Sequence, residues 1–192
     1  MMKFDPHAYH FPSRRRSVYA KNGMVACSTP QAAEAGLRML EQGGNAIDAC
    51  VAMAMILPIV EPSANTLGSD NFAIVWHGDK LHGMSSSGWS PKALTYDYVK
   101  EKGYEKIPMG GWTSTTLPGC VRGWINLLEK FGTKTIEEVA QPAIEAAEEG
   151  FCVTPYTADS MKKWFGILTS TMDNEEMKEN LKNFICYNGE FP

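Results

Sequence analysis

Residues 43–76 read GGNAIDACVAMAMILPIVEPSANTLGSDNFAIVW, and the rest of the chain is organised around this stretch. Asn45 is a residue type that caps helix N-termini, and Asp48 follows three positions later, where a carboxylate favours the start of a helix. From Ala49 to Leu57 the Cys50 thiol is the only side-chain group that is not apolar. Because a helix that is apolar on every side has to be covered on every side, the stretch predicts a central core helix.

The same helix is too short to cross a membrane. Its apolar run is well below the about 18 residues that a membrane span requires. Pro58 and Pro62 are predicted to break it. Residues 1–17, MMKFDPHAYHFPSRRRS, contain no apolar segment of the signal-peptide kind. We therefore expect no membrane partner and a cytoplasmic location.

Composition excludes several classes of function. With 192 residues and 44% hydrophobic side chains, the chain can bury one sizeable core, either as one domain or as part of a larger one. Its formal charge of −4 lacks the basic face of proteins that bind nucleic acids. The one basic cluster, residues 14–16, is interpreted as a solvated segment. No nucleic-acid partner is expected.

The five cysteines are widely spaced and include no C-x-x-C pair. This pattern supports neither a disulfide framework nor a zinc site. It predicts reduced, mostly buried thiols.

Hydrophobic periodicity and turn residues predict the remaining elements. Residues 1–20 are predicted to form an irregular arm, and residues 21–192 to form one domain that continues beyond the chain. Strands are predicted at 23–28, 71–76, 80–84 and 113–117, and further helices at about 30–42, 121–130, 135–149, 158–165 and 174–181. The short link at 77–79 predicts that the second and third of these segments pair as an antiparallel hairpin.

Two of these helices have predicted apolar faces. The first begins after a Ser28 or Thr29 cap and has Ala33, Leu37 and Leu40 on one side. The helix after Thr135 has Glu138 in the capping-box position, and its apolar face is predicted to contain Val139, Ile144 and Ala147. Antiparallel strands with helices outside them predict an α+β fold with layers of sheet and helix.

No complete catalytic constellation is visible in the residues themselves. His7 and His10 lie in the arm, and His77 and His82 flank the hairpin, where exposure to solvent is the simplest interpretation. Residues 68–71 are typical either of a turn that offers backbone N–H groups to an anion or of an ordinary strand entry. H-E-x-x-H, G-x-S-x-G and phosphate-loop motifs do not occur. No metal or cofactor site is predicted.

Thr115 and Thr116 are hydroxyl candidates of a particular kind. A threonine nucleophile that is activated by its own α-amino group has to stand at a chain terminus. Both residues are internal. They are interpreted as strand residues.

Five segments, in their order and spacing, resemble the N-terminal part of the gamma-glutamyltranspeptidase family. They are NGMVACS (22–28), EQGGNAIDACVAMAMILPIVEP (41–62), LPGCVRGW (117–124), VAQPAIEAAEEGF (139–151) and FICYNGEFP (184–192). The resemblance covers residues 17–192. It implies that the chain is the N-terminal part of the family's large subunit.

The resemblance implies an N-terminal-nucleophile hydrolase with an αββα sandwich, of which this chain holds only part. Members are made as a precursor that cleaves itself before a threonine, and this threonine begins the small subunit and uses its own amine as base. It transfers a gamma-glutamyl group from glutathione-like amides to water or to amino acids, without a metal or an organic cofactor. We therefore expect no catalytic residue within these 192 residues and no activity from them alone.

The resemblance also implies the partners. The expected partner is the remainder of the precursor, which includes the small subunit, and the expected ligand is a small-molecule amide. A second copy of the chain, in a homo-oligomer, is a further candidate, because a lone segment of this kind would expose core-facing surface.

One departure from the family pattern affects the substrate. Members that act on gamma-glutamyl compounds have an arginine four residues before the proline of the loop after the hairpin, where it binds the α-carboxylate. In this chain the residue four positions before Pro91 is Ser87. A serine cannot form the bidentate, charge-assisted hydrogen bonds of a guanidinium. Ser86, Ser87 and Trp89 are the candidate substrate-binding residues, with an ordinary surface loop as the alternative.

Three functions therefore remain open from the sequence. The first is gamma-glutamyl transfer or hydrolysis, and the second is a family acylase or amidohydrolase that acts on another amide. The third is a truncated, non-catalytic partner or scaffold.

Overall fold

The computed structural model describes residues 17–108, 112–170 and 175–185. These ranges contain a two-stranded sheet, seven α-helices and a short 3-10 turn at Trp112–Ser114. The strands are β1 (Asn71–His77) and β2 (Lys80–Ser86), and the helices are α1 (Pro30–Glu41), α2 (Ala46–Val60), α3 (Tyr96–Glu101), α4 (Cys120–Phe131), α5 (Ile136–Glu149), α6 (Pro155–Ser170) and α7 (Glu175–Ile185). The α+β class is confirmed. Most of the predicted arm, with His7 and His10, and the end of the chain after residue 185 lie outside the described residues.

Helix α2 is the centre of the described fold, as its sequence predicted. It packs against α1, α4 and α5. The Asn45 side-chain oxygen accepts hydrogen bonds from the N–H groups of Ile47 and Asp48, and the Asp48 carboxylate accepts one from the N–H of Asn45. The predicted break at Pro58 is wrong, because α2 continues to Val60. Pro58 stands close enough to the helix end that its missing N–H removes one hydrogen bond without ending the helix.

Helix α1 begins at the predicted cap but turns a different face to the core. The Thr29 hydroxyl oxygen accepts a hydrogen bond from the N–H of Ala32. The predicted apolar face is wrong for Leu37, which is 45% exposed. The buried residues are Ala32, Ala35, Gly36 and Met39. Small side chains let α1 approach α2 closely, since a Cβ added at Gly36 would lie 2.7 Å from Met53 Cγ.

Helix α5 has the predicted capping box, formed by Thr135 and Glu138. Its buried side chains are Val139, Pro142 and Ala143, so the predicted inward positions of Ile144 and Ala147 are wrong. On its partly exposed side α5 is tied to α1 by the Arg38–Glu145 ion pair, in which Nη2 and Oε1 are 2.9 Å apart.

The hairpin is antiparallel, as predicted, and its register runs from Asn71 opposite Ser86 to His77 opposite Lys80. Val75 is buried on the face that meets α4. The other face is apolar and uncovered by the described residues: it presents Phe72, Ile74, Trp76 and Leu81, which are between 67% and 83% exposed. We call these four residues the open sheet face.

Two predicted strands are not formed in the described structure. Residues 23–28 have no strand assignment and are mostly exposed, although Val25 packs against the core between α1 and α2. Residues 113–117 form the end of the 3-10 turn and a connecting segment, so Thr115 and Thr116 are not strand residues. A strand is defined by its hydrogen-bonded neighbour, and the sheet that the structure describes contains only β1 and β2.

Two of the predicted later helices are present in the structure, and one further helix was not predicted. Helices α6 and α7 lie where they were predicted and are longer, while α3 was not predicted.

The expectation of mostly buried thiols is wrong: Cys27, Cys50 and Cys152 are exposed, and Cys120 is buried. Cys186 lies outside the described residues. No helix in the described ranges has both the length and the apolar character needed to span a membrane.

Candidate functional site

The candidate substrate-binding residues lie where the two strands of the hairpin end. Asn71 and Ser86 are the last pair of the register. Asp70 immediately precedes β1 and Ser87 immediately follows β2, so both residues flank the open end of the hairpin. A third segment, residues 115–120, passes beside both ends. We call residues 66–71, 85–89 and 115–120 together the strand-end region.

Backbone contacts hold the three segments of this region against one another. Gly88 has a φ of 74°, and a Cβ added to it would lie 1.8 Å from the carbonyl oxygen of Leu117. A Cβ added at Gly119 would lie 2.2 Å from the carbonyl oxygen of Ser86. Both positions therefore need a residue without a side chain. In the same place, the N–H of Leu117 donates to the carbonyl of Trp89 across 3.4 Å.

The segment before β1 is fixed by the start of α4. The carbonyl of Ser69 accepts hydrogen bonds from the N–H groups of Gly119 and Cys120, at 3.4 and 3.0 Å. The buried thiol of Cys120 donates to the carbonyl of Leu67 at 3.0 Å. These contacts give the loop before β1 a defined position relative to the loop after β2.

The turn at 68–71 is an ordinary strand entry. The N–H of Gly68 donates to Thr66 Oγ1 at 3.1 Å, and the N–H of Ser69 donates to the Thr66 carbonyl at 3.2 Å. Both groups are thus used within the turn. The adjacent Asp70 carboxylate would also repel an anion, so the alternative of an anion-binding turn is disfavoured.

The three candidate side chains differ in their surroundings. Ser86 and Ser87 are half-buried, whereas Trp89 is 82% exposed. Asp70 was not among the side chains predicted from the sequence to bind substrate. Its carboxylate accepts a hydrogen bond from Thr116 Oγ1 at 3.3 Å. The Ser86 side chain lies against α4, since a Cβ added at Gly123 would lie 3.1 Å from Ser86 Oγ. The Ser87 hydroxyl, the Asp70 carboxylate and the Trp89 indole ring are therefore the candidate groups for a small polar molecule, and the region contains no cationic side chain.

The histidines near the hairpin lie at its opposite end. The rings of His77 and His82 contact Phe131, with centroids 5.5 and 5.0 Å apart. His77 is exposed as expected, but His82 is half-buried. Neither belongs to the strand-end region. Among the described residues, no group of three His, Cys, Asp or Glu side chains is arranged to hold a metal ion.

The sequence missed Asp70 and Thr116 as members of this site. A signal for Asp70 was present, because the hairpin that follows from a short turn places it at the same open end as Ser87. The approach of residues 115–120 had no comparable signal, since it depends on how α4 packs against the hairpin.

Comparisons with known proteins agree with this fold. A family model described as Gamma-glutamyltranspeptidase matches residues 32–192. The chain is 35% identical over 159 residues to the glutathione hydrolase-like YwrD proenzyme of Bacillus subtilis, covering 81% of this chain and 30% of that protein. It is 30% identical to the acylase ACY 1 proenzyme of a Pseudomonas species, covering 80% of this chain and 29% of that protein.

Solved structures give the same result. The crystal structure of cephalosporin acylase from Bacillus halodurans matches with a TM-score of 0.85 and 43% identity, over 100% of this chain and 36% of that one. Gamma-glutamyltranspeptidase from Helicobacter pylori matches with a TM-score of 0.75 and 28% identity, over 91% of this chain and 50% of that one. The chain thus spans about a third of the length of the curated relatives it matches. It belongs to the gamma-glutamyltranspeptidase family, an enzyme family, and corresponds to the N-terminal part of its large subunit.

Proposed function

We propose that the complete gene product is an autoprocessed amide hydrolase or acyltransferase of the gamma-glutamyltranspeptidase type. The observation that carries this proposal is the family match over residues 32–192, together with relatives that are named as proenzymes. The nucleophilic threonine, with its own amine as base, is assigned to the small subunit, outside these residues. The remainder of the precursor is then the partner of this chain, and residues 21–192 form the first part of a shared domain. The cytoplasmic location remains a prediction from the sequence.

In this proposal the strand-end region forms one wall of the acyl-binding site. Ser87 supplies a hydroxyl group and Trp89 lines the mouth of the site, while Ser86 packs against α4 and positions the loop that carries them. Gamma-glutamyl donors are the first candidate substrates, since glutathione hydrolases are among the relatives. A second candidate, a different small amide, is favoured by Ser87, which stands where the family resemblance places a carboxylate-binding arginine. The acylase relatives support it as well.

The test of this function is an assay on the complete gene product. We expect a gel to show cleavage of the precursor into two subunits, and we expect the processed protein to release p-nitroaniline from acyl p-nitroanilides. Comparison of gamma-glutamyl-p-nitroanilide with simple acyl p-nitroanilides separates the two substrate classes. A precursor that stays whole and hydrolyses neither would contradict the proposal and favour the non-catalytic alternative.

The open sheet face supports a sandwich in which a second layer of sheet, from the remainder of the precursor, covers this hairpin. A two-stranded sheet is marginally stable by itself, and Ile74 is 83% exposed among apolar neighbours. Residues 23–28 pair with no strand in the described structure, and they are a second segment against which a strand from the remainder of the precursor would pair.

Ile74→Asp tests the covering of this face. If another layer buries Ile74, the substitution places an unpaired charge in an apolar interface, which proteins rarely tolerate. We expect the complete precursor to lose its processing and most of its soluble yield. Leu37→Asp, an exposed apolar position on α1, is the matched control and should leave both unchanged. Normal processing of the Ile74 variant would show that this face is open to solvent in the complete protein.

A further inference from the structure

We propose that Asp70 is a specificity-determining residue that selects against acyl groups bearing a carboxylate. The acyl group accepted at the strand-end region is then one that is uncharged, or positively charged, at the position next to Ser87. This inference rests on the proposed function, and of the two substrate classes named there it selects the different small amide over gamma-glutamyl donors, whose acyl group bears a carboxylate.

The first observation is position. The register of the hairpin ends at Asn71 and Ser86, so Asp70 comes directly before β1 and Ser87 directly after β2. Thr116, whose hydroxyl donates to Asp70 Oδ1, is followed by Leu117, whose N–H donates to the Trp89 carbonyl at 3.4 Å. Asp70 and the loop that carries Ser87 therefore contact the same segment, residues 116–117, which places the Asp70 carboxylate beside this loop.

The second observation is charge. Asp70 is the only charged residue in the strand-end region, which otherwise consists of apolar residues, glycines, a proline, an asparagine, serines, threonines and a cysteine. The first basic residues beyond its segments are Lys92 and Arg122, and both are exposed. The sign of the local charge is thus opposite to that supplied by the arginine of gamma-glutamyl-specific relatives.

The third observation is that the exposed Asp70 carboxylate has a hydrogen-bond partner within the strand-end region. Thr116 Oγ1 donates to its Oδ1 at 3.3 Å, and the neighbouring Ser69 carbonyl is fixed by two N–H groups at the start of α4. A carboxylate that is positioned in this way repels an anionic group of the substrate through an electrostatic interaction that salt weakens. An amide or an ammonium group can instead donate a hydrogen bond to it.

The experiment compares two substrates that differ only in charge. They are the p-nitroanilides of the 4-carboxybutanoyl group and of the 4-carbamoylbutanoyl group, which have the same length and shape. The complete, processed protein is assayed with Asp70 and as the Asp70→Asn variant. Asp79→Asn is the matched control, because Asp79 is an exposed aspartate at the other end of the same hairpin and its φ of 58° suits asparagine.

We expect the unmodified protein to favour the carbamoyl substrate in kcat/KM. Asp70→Asn should shift the ratio toward the carboxylate substrate by about 3- to 10-fold, and this shift should shrink at high ionic strength. Asp79→Asn should leave the ratio unchanged. If Asp70→Asn is processed normally and turns over both substrates with an unchanged ratio of kcat/KM, the role of Asp70 is overturned while the proposed function stands. Turnover of no amide by any processed variant would overturn the proposed function and this inference with it.

Discussion

Asp48→Ala is expected to destabilise the protein by about 3–5 kcal/mol, because it removes a buried carboxylate on which several donors depend. Asp48 is completely buried and accepts hydrogen bonds from four donors, which belong to the start of α2 and to the segment between α4 and α5. One donor is the N–H of Asn45 at 2.7 Å. The others are the N–H of Thr133 at 2.9 Å, the hydroxyl of Thr133 at 2.6 Å and the N–H of Lys134 at 3.1 Å. The truncation leaves these donors without their acceptor in the interior, which costs more than the bonds themselves contribute.

Equilibrium urea denaturation followed by circular dichroism measures this loss. Asp159→Ala, an exposed aspartate on α6, is the control and should change the free energy of unfolding by no more than about 0.5 kcal/mol. Asp48→Asn keeps the shape and one acceptor oxygen but turns an NH₂ group toward N–H donors. The loss in free energy of unfolding for Asp48→Asn should therefore lie between the losses for Asp48→Ala and Asp159→Ala. A free energy of unfolding within about 1 kcal/mol of the unmodified protein for Asp48→Ala would show that solvent or a rearranged loop replaces the carboxylate.

The same carboxylate gives stability a defined dependence on pH. Burial acts to raise the pKa of Asp48, but the hydrogen bonds from Thr133, Asn45 and Lys134 outweigh it and lower the pKa below its usual value. The unfolded chain therefore binds this proton more readily than the folded one, so protonation favours unfolding. The contribution of Asp48 is present above its unfolded-state pKa of about 3.9 and is lost as the pH falls through the lower folded-state pKa. Asp48→Asn should reduce this acid dependence.

Gly88→Ala is expected to lower kcat/KM of the complete, processed protein by about 100-fold, through displacement of the loop that carries Ser87 and Trp89. The added Cβ would lie 1.8 Å from the Leu117 carbonyl oxygen, so one of the two backbone segments has to move. A displacement of roughly 1 Å in a group that positions substrate is enough for a loss of this size.

Gly103→Ala is the control that separates the clash from the backbone conformation. Gly103 has the same φ of 74° as Gly88, but no atom lies within 4 Å of its added Cβ. It should lose about 1–2 kcal/mol of stability from the left-handed conformation and retain its activity. If the two variants have equal activity, the close approach of Gly88 to Leu117 does not shape the site.

The sequence alone determined the elements whose signals are local. The capping residues Asn45 and Thr135, the apolar run of α2 and the short turn between β1 and β2 each act within a few residues of the chain. The α+β class and the central position of α2 followed from them. The family resemblance was also visible in the sequence, because each of its motifs is a continuous segment of the chain.

Only the tertiary structure decided the features that depend on a distant partner. Residues 23–28 and 113–117 have strand-like composition, but a strand forms only beside another strand, and the described sheet supplies none to them. The face that α1 buries was decided by close packing against α2, which favoured Ala32 and Ala35 over Leu37. The contact of Asp70 with Thr116 was decided in the same way, because 46 residues separate the two in the chain and only the packing of α4 against the hairpin brings them together.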